Sequence, residues 1–411
     1  MMAPRVTRLA NGFTVASLAM PGVETAAVAL NADVGARHES EAENGLAHLF
    51  EHMVFKGTRS RSARAIAEAI EDVGGSLNAW TSRDSTLFHA RILGGDLPLA
   101  VELVGELVMD PRFDADDLVK EREVVLSEIG EALETPDDLV FDNLQTVAFP
   151  AQALGRPILG TADTLAGLDC PSLLRWRDSQ YRGPGLVLAA AGQVDHDALV
   201  RQAEALFGGL PADAHPQPDR ARWQGGTLPD GKHGEQLHVA LAFSGPDARA
   251  PGYYAAQLFA TALGGGMSSR LFQELREERG LAYSVSASHT PHSDIGVLSL
   301  YFASRPKDGP AALALLRDVA HATAANLTQA ELSRARAQIK AGILMALEGC
   351  GGQSDWLGRS LITFGRVLPP AEAVAALEAA TLDDVRAIGA AMLASTPALA
   401  AVGPKAERLA A

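Results

Sequence analysis

The stretch Val28–Gly35, VALNADVG, is answered 211 residues later by Val239–Gly245, VALAFSG. Each is an apolar run of strand length closed by a glycine. From there the two copies continue on one plan. A helix comes first, then a glycine-rich turn, then a strand rich in Ser, Thr and aromatic residues, then a helix. A long charged helix closes the series, Asp114–Leu133 in the first copy and Thr328–Leu347 in the second. A pattern repeated at a fixed offset marks a duplicated unit. The strands come in antiparallel-looking runs with helices between them. The expected class is therefore α+β: two homologous domains, each a mostly antiparallel sheet with helices packed on one face.

Around these strands the first copy fills in. Residues 1–35 alternate about the turns Asn11-Gly12 and Pro21-Gly22 and read as two or three strands. Helices are expected over Asn44–Phe55 and Ser62–Asp72, the second ended by Gly74-Gly75. Ser76–Arg91 has strand spacing, and Leu97–Met109 and Ala115–Leu133 are amphipathic helices. A short strand at Leu186–Ala191 and a helix at Asp197–Phe207 complete the copy. Gly208–Gly234 is dense in Pro, Gly and charge and lacks apolar periodicity, which marks a linker. The expected division is an N-terminal domain over 1–210, a linker over 211–234 and a homologous C-terminal domain over 235–411.

Of the 411 residues, 47% are apolar and 21% charged, which supplies buried cores and excludes disordered and collagen-like classes. The formal net charge of −15 repels phosphate backbones and anionic bilayers, so neither nucleic acid nor membrane is an expected partner. The first residues read as a strand rather than a signal peptide. No apolar run reaches the ~18 residues of a membrane span. A soluble protein of the bacterial cytoplasm is expected. Cys170 and Cys350 read as two reduced thiols.

The chemistry centres on His48-Leu49-Phe50-Glu51-His52. In a helix each residue advances roughly 100°, so His48 and His52 share a face with Glu51 beside them. Two imidazoles on adjacent turns can hold one Zn²⁺, and a neighbouring carboxylate can take a proton from a metal-bound water. The order H-x-x-E-H is that of the inverted zincins. A catalytic zinc needs a third protein ligand and an open position. Glu121 and Glu128, seven residues apart in EREVVLSEIGE, share a helix face. One would ligate while the other holds a ligand or the water, and spacing does not choose between them. The competing reading is that both are solvated charges. His289 and His292 bracket a proline and read as surface loop residues. Gly264-Gly265-Gly266 lacks the spacing of a phosphate loop and reads as a backbone turn.

The segment HLFEHMVFKGT, His48–Thr58, resembles the signature of the M16 (pitrilysin-type) zinc metallopeptidases, the family of insulin-degrading enzyme and the mitochondrial processing peptidase. The resemblance runs through GGSLNAWTSRDSTLF, EREVVLSEI, LGRPILG and LVLAAAGQVDH to GGGMSSRLFQELREERGLAYSV, nearly the whole chain. Its length and two repeats resemble the short, processing-peptidase-like M16B branch, in which one chain forms half of a clamshell. The resemblance implies roles at particular positions. His48 and His52 would be zinc ligands, Glu128, 76 residues after His52, the third ligand, Glu121 a supporting acid, and Glu51 the general base. Arg276 and Tyr283 in REERGLAY match the family's Arg/Tyr pair, and Asn78 and Ala79 match its cleft-lining strand.

It implies a zinc metalloendopeptidase with one Zn²⁺ per chain, hydrolysing peptides or unfolded segments bound as an extended strand in an enclosed chamber. The alternative is a non-catalytic or partner subunit of an M16-type heterodimer, acting as peptide binder or scaffold. Under the 211 offset His48, Glu51 and His52 fall on Phe259, Ala262 and Leu263, so the second copy has no metal site. The Arg/Tyr pair occurs only in that copy. The two copies are therefore expected to face each other, within or across chains; the expected assembly is a homodimer, with a heterodimer containing a related subunit as the alternative.

Overall fold

In the computed structural model, which describes residues 3–231 and 234–409, the two echoing runs are interior strands of two different sheets. The first copy contributes β1 (Arg5–Arg8), β2 (Thr14–Ala19), β3 (Thr25–Ala32), α1 (Leu46–Val54), α2 (Ala63–Glu71), β4 (Ser76–Thr81) and β5 (Thr86–Leu93). It continues with α3 (Leu97–Met109), α4 (Ala115–Glu134), α5 (Pro136–Ala148), α6 (Ala162–Ala166), α7 (Cys170–Gln180), β6 (Leu186–Gly192) and α8 (His196–Phe207). The second copy contributes β7 (Gly226–Asp230), β8 (Leu237–Gly245), α9 (Tyr253–Gly264), a π-helical stretch at Phe272–Glu278, β9 (Ala282–Pro291) and β10 (Gly296–Ser304). It ends with α10 (Gly309–Asn326), α11 (Gln329–Ala346), α12 (Cys350–Phe364), α13 (Pro370–Ala379), α14 (Leu382–Leu393) and β11 (Ala398–Val402).

The sheets run β1-β2-β6-β3-β5-β4 and β7-β11-β8-β10-β9. Without β1 the two orders are the same. Each has one parallel pair, β2 with β6 and β7 with β11, and is antiparallel elsewhere. Register repeats as well: Val28 faces Ala190, and Val239 faces Ala401. The duplication is thus carried in the hydrogen-bond ladder, and the chain is α+β with two homologous units.

The units are not contiguous in sequence. The first comprises residues up to 129, 157–219 and 345–368, and the second comprises 130–156, 220–344 and the residues from 369 on. This differs from the linear division 1–210, 211–234 and 235–411 at two helices. Helix α5, from the first copy, packs in the second unit, where Leu139, Val140, Leu144 and Ala148 cover Ala240, Ala242, Ala398 and Ala400. Helix α12, from the second copy, packs in the first unit, where Leu357 covers Ala16, Leu18, Ala189 and Ala191. Side chains alternate across a strand, and on each sheet the face away from the main core is rich in alanine, which lets a helix approach closely. Each sheet therefore carries one exchanged helix on this second face, in addition to the helices expected on the first.

Strand β7 lies inside the expected linker. Its five residues include Pro229, which removes a ladder donor and suits the outer position that β7 holds. The main cores are built from Phe13, Val28, Leu30, Leu49, Phe50 and Phe88 in the first unit and Val239, Leu241, Phe259, Leu298, Leu300 and Phe302 in the second. Among the described residues no helix is long and apolar enough to cross a membrane. Cys170 and Cys350 are unbridged.

Candidate metal centre

The helix that carries the motif is held on its apolar side and at both ends. Leu46, Leu49, Phe50 and Met53 recur at helical spacing and are buried in the first unit's core. The Phe50 ring lies 5.0 Å from that of Tyr181 and 5.6 Å from that of Phe113, which fixes the rotation of α1. His48, Glu51 and His52 then emerge together on the other side. At the N-terminus Gly45 has φ 96°, and a Cβ there would stand 2.7 Å from the Leu159 carbonyl oxygen. The cap comes from Glu39, a buried carboxylate. The Ala47 N–H donates to its Oε1 at 2.7 Å, and the Gly45 N–H and Asn44 Nδ2 donate to its Oε2, each at 2.9 Å. A carboxylate suits this positive helix end.

The His48 and His52 ring centroids are 4.6 Å apart. Glu128 Oε2, from α4, lies 3.9 Å from His48 Nε2 and 3.6 Å from His52 Nε2. Among the described residues these three form the one metal-capable group of His, Cys, Asp and Glu side chains. Donors about 2.1 Å from a shared tetrahedral centre stand roughly 3.4 Å apart, so the two distances to Glu128 need only tenths of an ångström of closure, and all three donor atoms lie within 4.8 Å of one another. Glu128 Oε2 is also buried without a hydrogen-bond partner among the described residues. That state is costly for a carboxylate oxygen, and a divalent cation relieves it. The donor set of two nitrogens and one oxygen fits zinc.

Glu121 and Glu128, level by spacing, differ in their contacts. Glu121 is buried; its Oε2 pairs with His52 Nδ1 at 3.1 Å and its Oε1 with Lys56 Nζ at 2.6 Å. It stands behind His52, while Glu128 faces both Nε2 atoms. Burial, with a smaller contribution from His52, holds the His48 imidazole down to about 4, so at neutral pH its ring is uncharged and able to ligate. Burial raises the Glu51 carboxyl above its ordinary value; Thr81 and His52 oppose the shift and Glu128 adds to it.

Asn78 and Ala79 lie on β4, the outermost strand of the first sheet, which packs beside α1. Asn78 is exposed and Ala79 buried. The Ala79 N–H donates to Asn78 Oδ1 at 2.8 Å. Arg276 and Tyr283 belong to the second unit. There Arg276 Cζ lies 5.6 Å from the centroid of the Tyr283 ring and 4.8 Å from that of Phe272, within the range of a cation–π contact. Arg276 sits in the π-helical stretch, and Tyr283 is 71% exposed.

Three residues of the site escaped the sequence reading. Lys56 lies inside HLFEHMVFKGT but carries no ligand chemistry of its own. Thr81, beside Glu51, is two positions after Ala79 and so shares its strand face. Glu39 lies outside every motif. The expectation of a surface loop at His289 is corrected: it lies in β9, is 6% exposed, and accepts from Gln257 Nε2 at its carbonyl at 3.0 Å. Phe259, Ala262 and Leu263, at the second copy's motif positions, are buried core residues.

A family model described as Insulinase (Peptidase family M16) matches residues 14–162, and one described as Peptidase M16 inactive domain matches residues 168–339. An uncharacterized zinc protease of Streptomyces coelicolor is 38% identical over 97% of this chain and 89% of its own. An uncharacterized zinc protease of Rickettsia bellii is 34% identical over 97% of each. The mitochondrial-processing peptidase subunit beta of Lentinula edodes is 32% identical over 93% of this chain and 86% of its own. Among solved structures, a protease from Helicobacter pylori superposes with a TM-score of 0.91 at 20% identity, covering 98% of this chain and 100% of that one. A peptidase M16 inactive domain from Pseudomonas fluorescens gives 0.90 at 22% identity over 98% of each. At these identities the two structures share the fold.

Proposed function

The chain belongs to peptidase family M16, and on that footing we propose that it is a zinc-dependent endopeptidase acting on peptides or unfolded segments. The observation that carries this reading is Glu128 Oε2, buried and without a hydrogen-bond partner among the described residues, opposite His48 Nε2 and His52 Nε2. His48, His52 and Glu128 would hold the ion. When bound, zinc supplies Lewis acidity that brings the pKa of water toward ~7 and polarises a carbonyl. Glu51 is the base. Its raised proton affinity suits it to take the proton of the attacking water and to hand it to the leaving amine.

The substrate is proposed to add as a strand to the outer edge of β4. Asn78 Oδ1 already occupies the Ala79 N–H, so an incoming carbonyl replaces a hydrogen bond rather than meeting a bare donor. Tyr283 is assigned to the developing oxyanion and Arg276 to the substrate backbone, on the family resemblance. We propose a homodimer in which these groups are shared between copies.

The test joins metal analysis of the purified chain to digestion of an unfolded polypeptide, with and without chelator. We expect about one zinc per chain, cleavage that chelator stops, and a Glu51→Gln variant that keeps zinc and loses cleavage by at least ~10²-fold. Zinc binding without cleavage by the wild type would favour the partner-subunit reading.

A further inference from the structure

We propose that Lys56 is a positioning residue of the metal centre, acting on His52 through Glu121; this rests on the reading of the site as a zinc centre. Lys56 lies two residues beyond the end of α1 and is 65 positions from Glu121, so their contact joins two separate elements. Its Nζ lies 2.6 Å from Glu121 Oε1, while the other oxygen, Oε2, pairs with His52 Nδ1 at 3.1 Å. A carboxylate held on both oxygens cannot turn without breaking one of the two bonds. It can only accept, so the His52 Nδ1 carries the hydrogen and the lone pair of Nε2 points away, toward Glu128 Oε2 at 3.6 Å.

Two further observations separate this from an ordinary surface ion pair. The Glu121 side chain is only 8% exposed, so Lys56 replaces solvent as the partner of its charge. His48 has no comparable support, because its Nδ1 is buried without a hydrogen-bond partner among the described residues. The orientation of the imidazole pair thus rests on His52, and that of His52 on the Glu121–Lys56 arm. With Glu39 capping the other end, α1 is fastened by one charged side chain at each terminus.

The experiment is a zinc competition titration against a chromophoric chelator on the full chain. It compares wild type, Lys56→Met, Lys56→Arg, Glu121→Gln and the Lys56→Met/Glu121→Gln double variant, with the thermal midpoint of each metal-free protein recorded alongside. Lys56→Met is expected to weaken zinc binding about 10-fold or more, the range found for outer partners of ligating histidines. Lys56→Arg should restore most of it, and in the Glu121→Gln background Lys56→Met should cost nothing further. Lys56→Gln, which keeps the apolar stem, replaces the Met variant if that one folds poorly. Unchanged zinc affinity in Lys56→Met overturns the proposal. So does an equal loss with and without the Glu121 carboxylate, or a loss that only tracks a fall in the metal-free midpoint. A wild type that binds no zinc removes the zinc reading as a whole; a wild type that binds while Lys56→Met binds equally removes only the role of Lys56.

Discussion

Replacing Glu39 by alanine tests whether α1 is held from its N-terminus. At least three donors converge on this buried carboxylate, among them the Gly45 and Ala47 N–H groups and Asn44 Nδ2. Hydrogen bonds to a charged group contribute about 1.5–3 kcal/mol each, net of desolvation. Bonds that share one carboxylate do not add in full, so the net loss should be about 3 kcal/mol. For a unit of this size each kcal/mol moves the thermal midpoint by ~2–4 °C, which predicts a fall of ~6–12 °C in the metal-free protein. The assay is thermal unfolding monitored by circular dichroism, with Glu41→Ala, an exposed neighbour, as control. Because α1 presents both histidines, zinc affinity should fall too, whereas the control should change neither. A Glu39→Ala protein that melts within ~2 °C of wild type would refute the capping argument, and with it the claim that α1 is positioned from outside its motif.

Three other outcomes are expected. Gly45→Ala forces a Cβ toward the Leu159 carbonyl at a φ of 96° and should cost about 2 kcal/mol in a denaturant melt, more than an alanine placed at half-buried Gly130 in α4, where a Cβ meets nothing within 4 Å. His289 is held by burial down to about 4 from an ordinary 6.5, so between those values the unfolded chain binds a proton that the folded chain refuses. Stability should therefore fall as pH drops from 6.5 toward 4, by up to about 3 kcal/mol for this residue; His289→Gln should remove that share, read as a flatter pH profile of the melting midpoint. Mixing Glu51→Gln with Tyr283→Phe, each inactive alone, should recover up to about a quarter of wild-type cleavage if a homodimer shares its groups; absence of recovery argues against sharing.

The parts of the fold legible in the sequence are those whose signal is local or repeated. The His48–His52 motif fits within two helical turns, and the VALNADVG and VALAFSG echo survives as matching ladder positions. Glu121 and Glu128 stood level because seven residues make two turns of one face. What separates them is Lys56 and the side of His52 that each meets, neither of which spacing contains. The exchange of α5 and α12 was not legible because an apolar helical stripe says that it is covered, not which sheet covers it. Strand β7 was hidden by its brevity and Pro229, and His289 by the turn-like Pro291 and His292 just after it. Glu39 was hidden because it caps α1 from six residues before Gly45 and eight before Ala47, a reach that no local capping pattern contains.

The trading of α5 and α12 has a consequence for biosynthesis. When a ribosome has delivered the chain as far as Asp219, the first sheet is complete in its strands, yet Ala16, Leu18, Ala189 and Ala191 still await Leu357. Maturation of the half that carries the histidines must wait for translation to pass Phe364, and during that interval the bare alanine face is where a chaperone would bind or an aggregate begin.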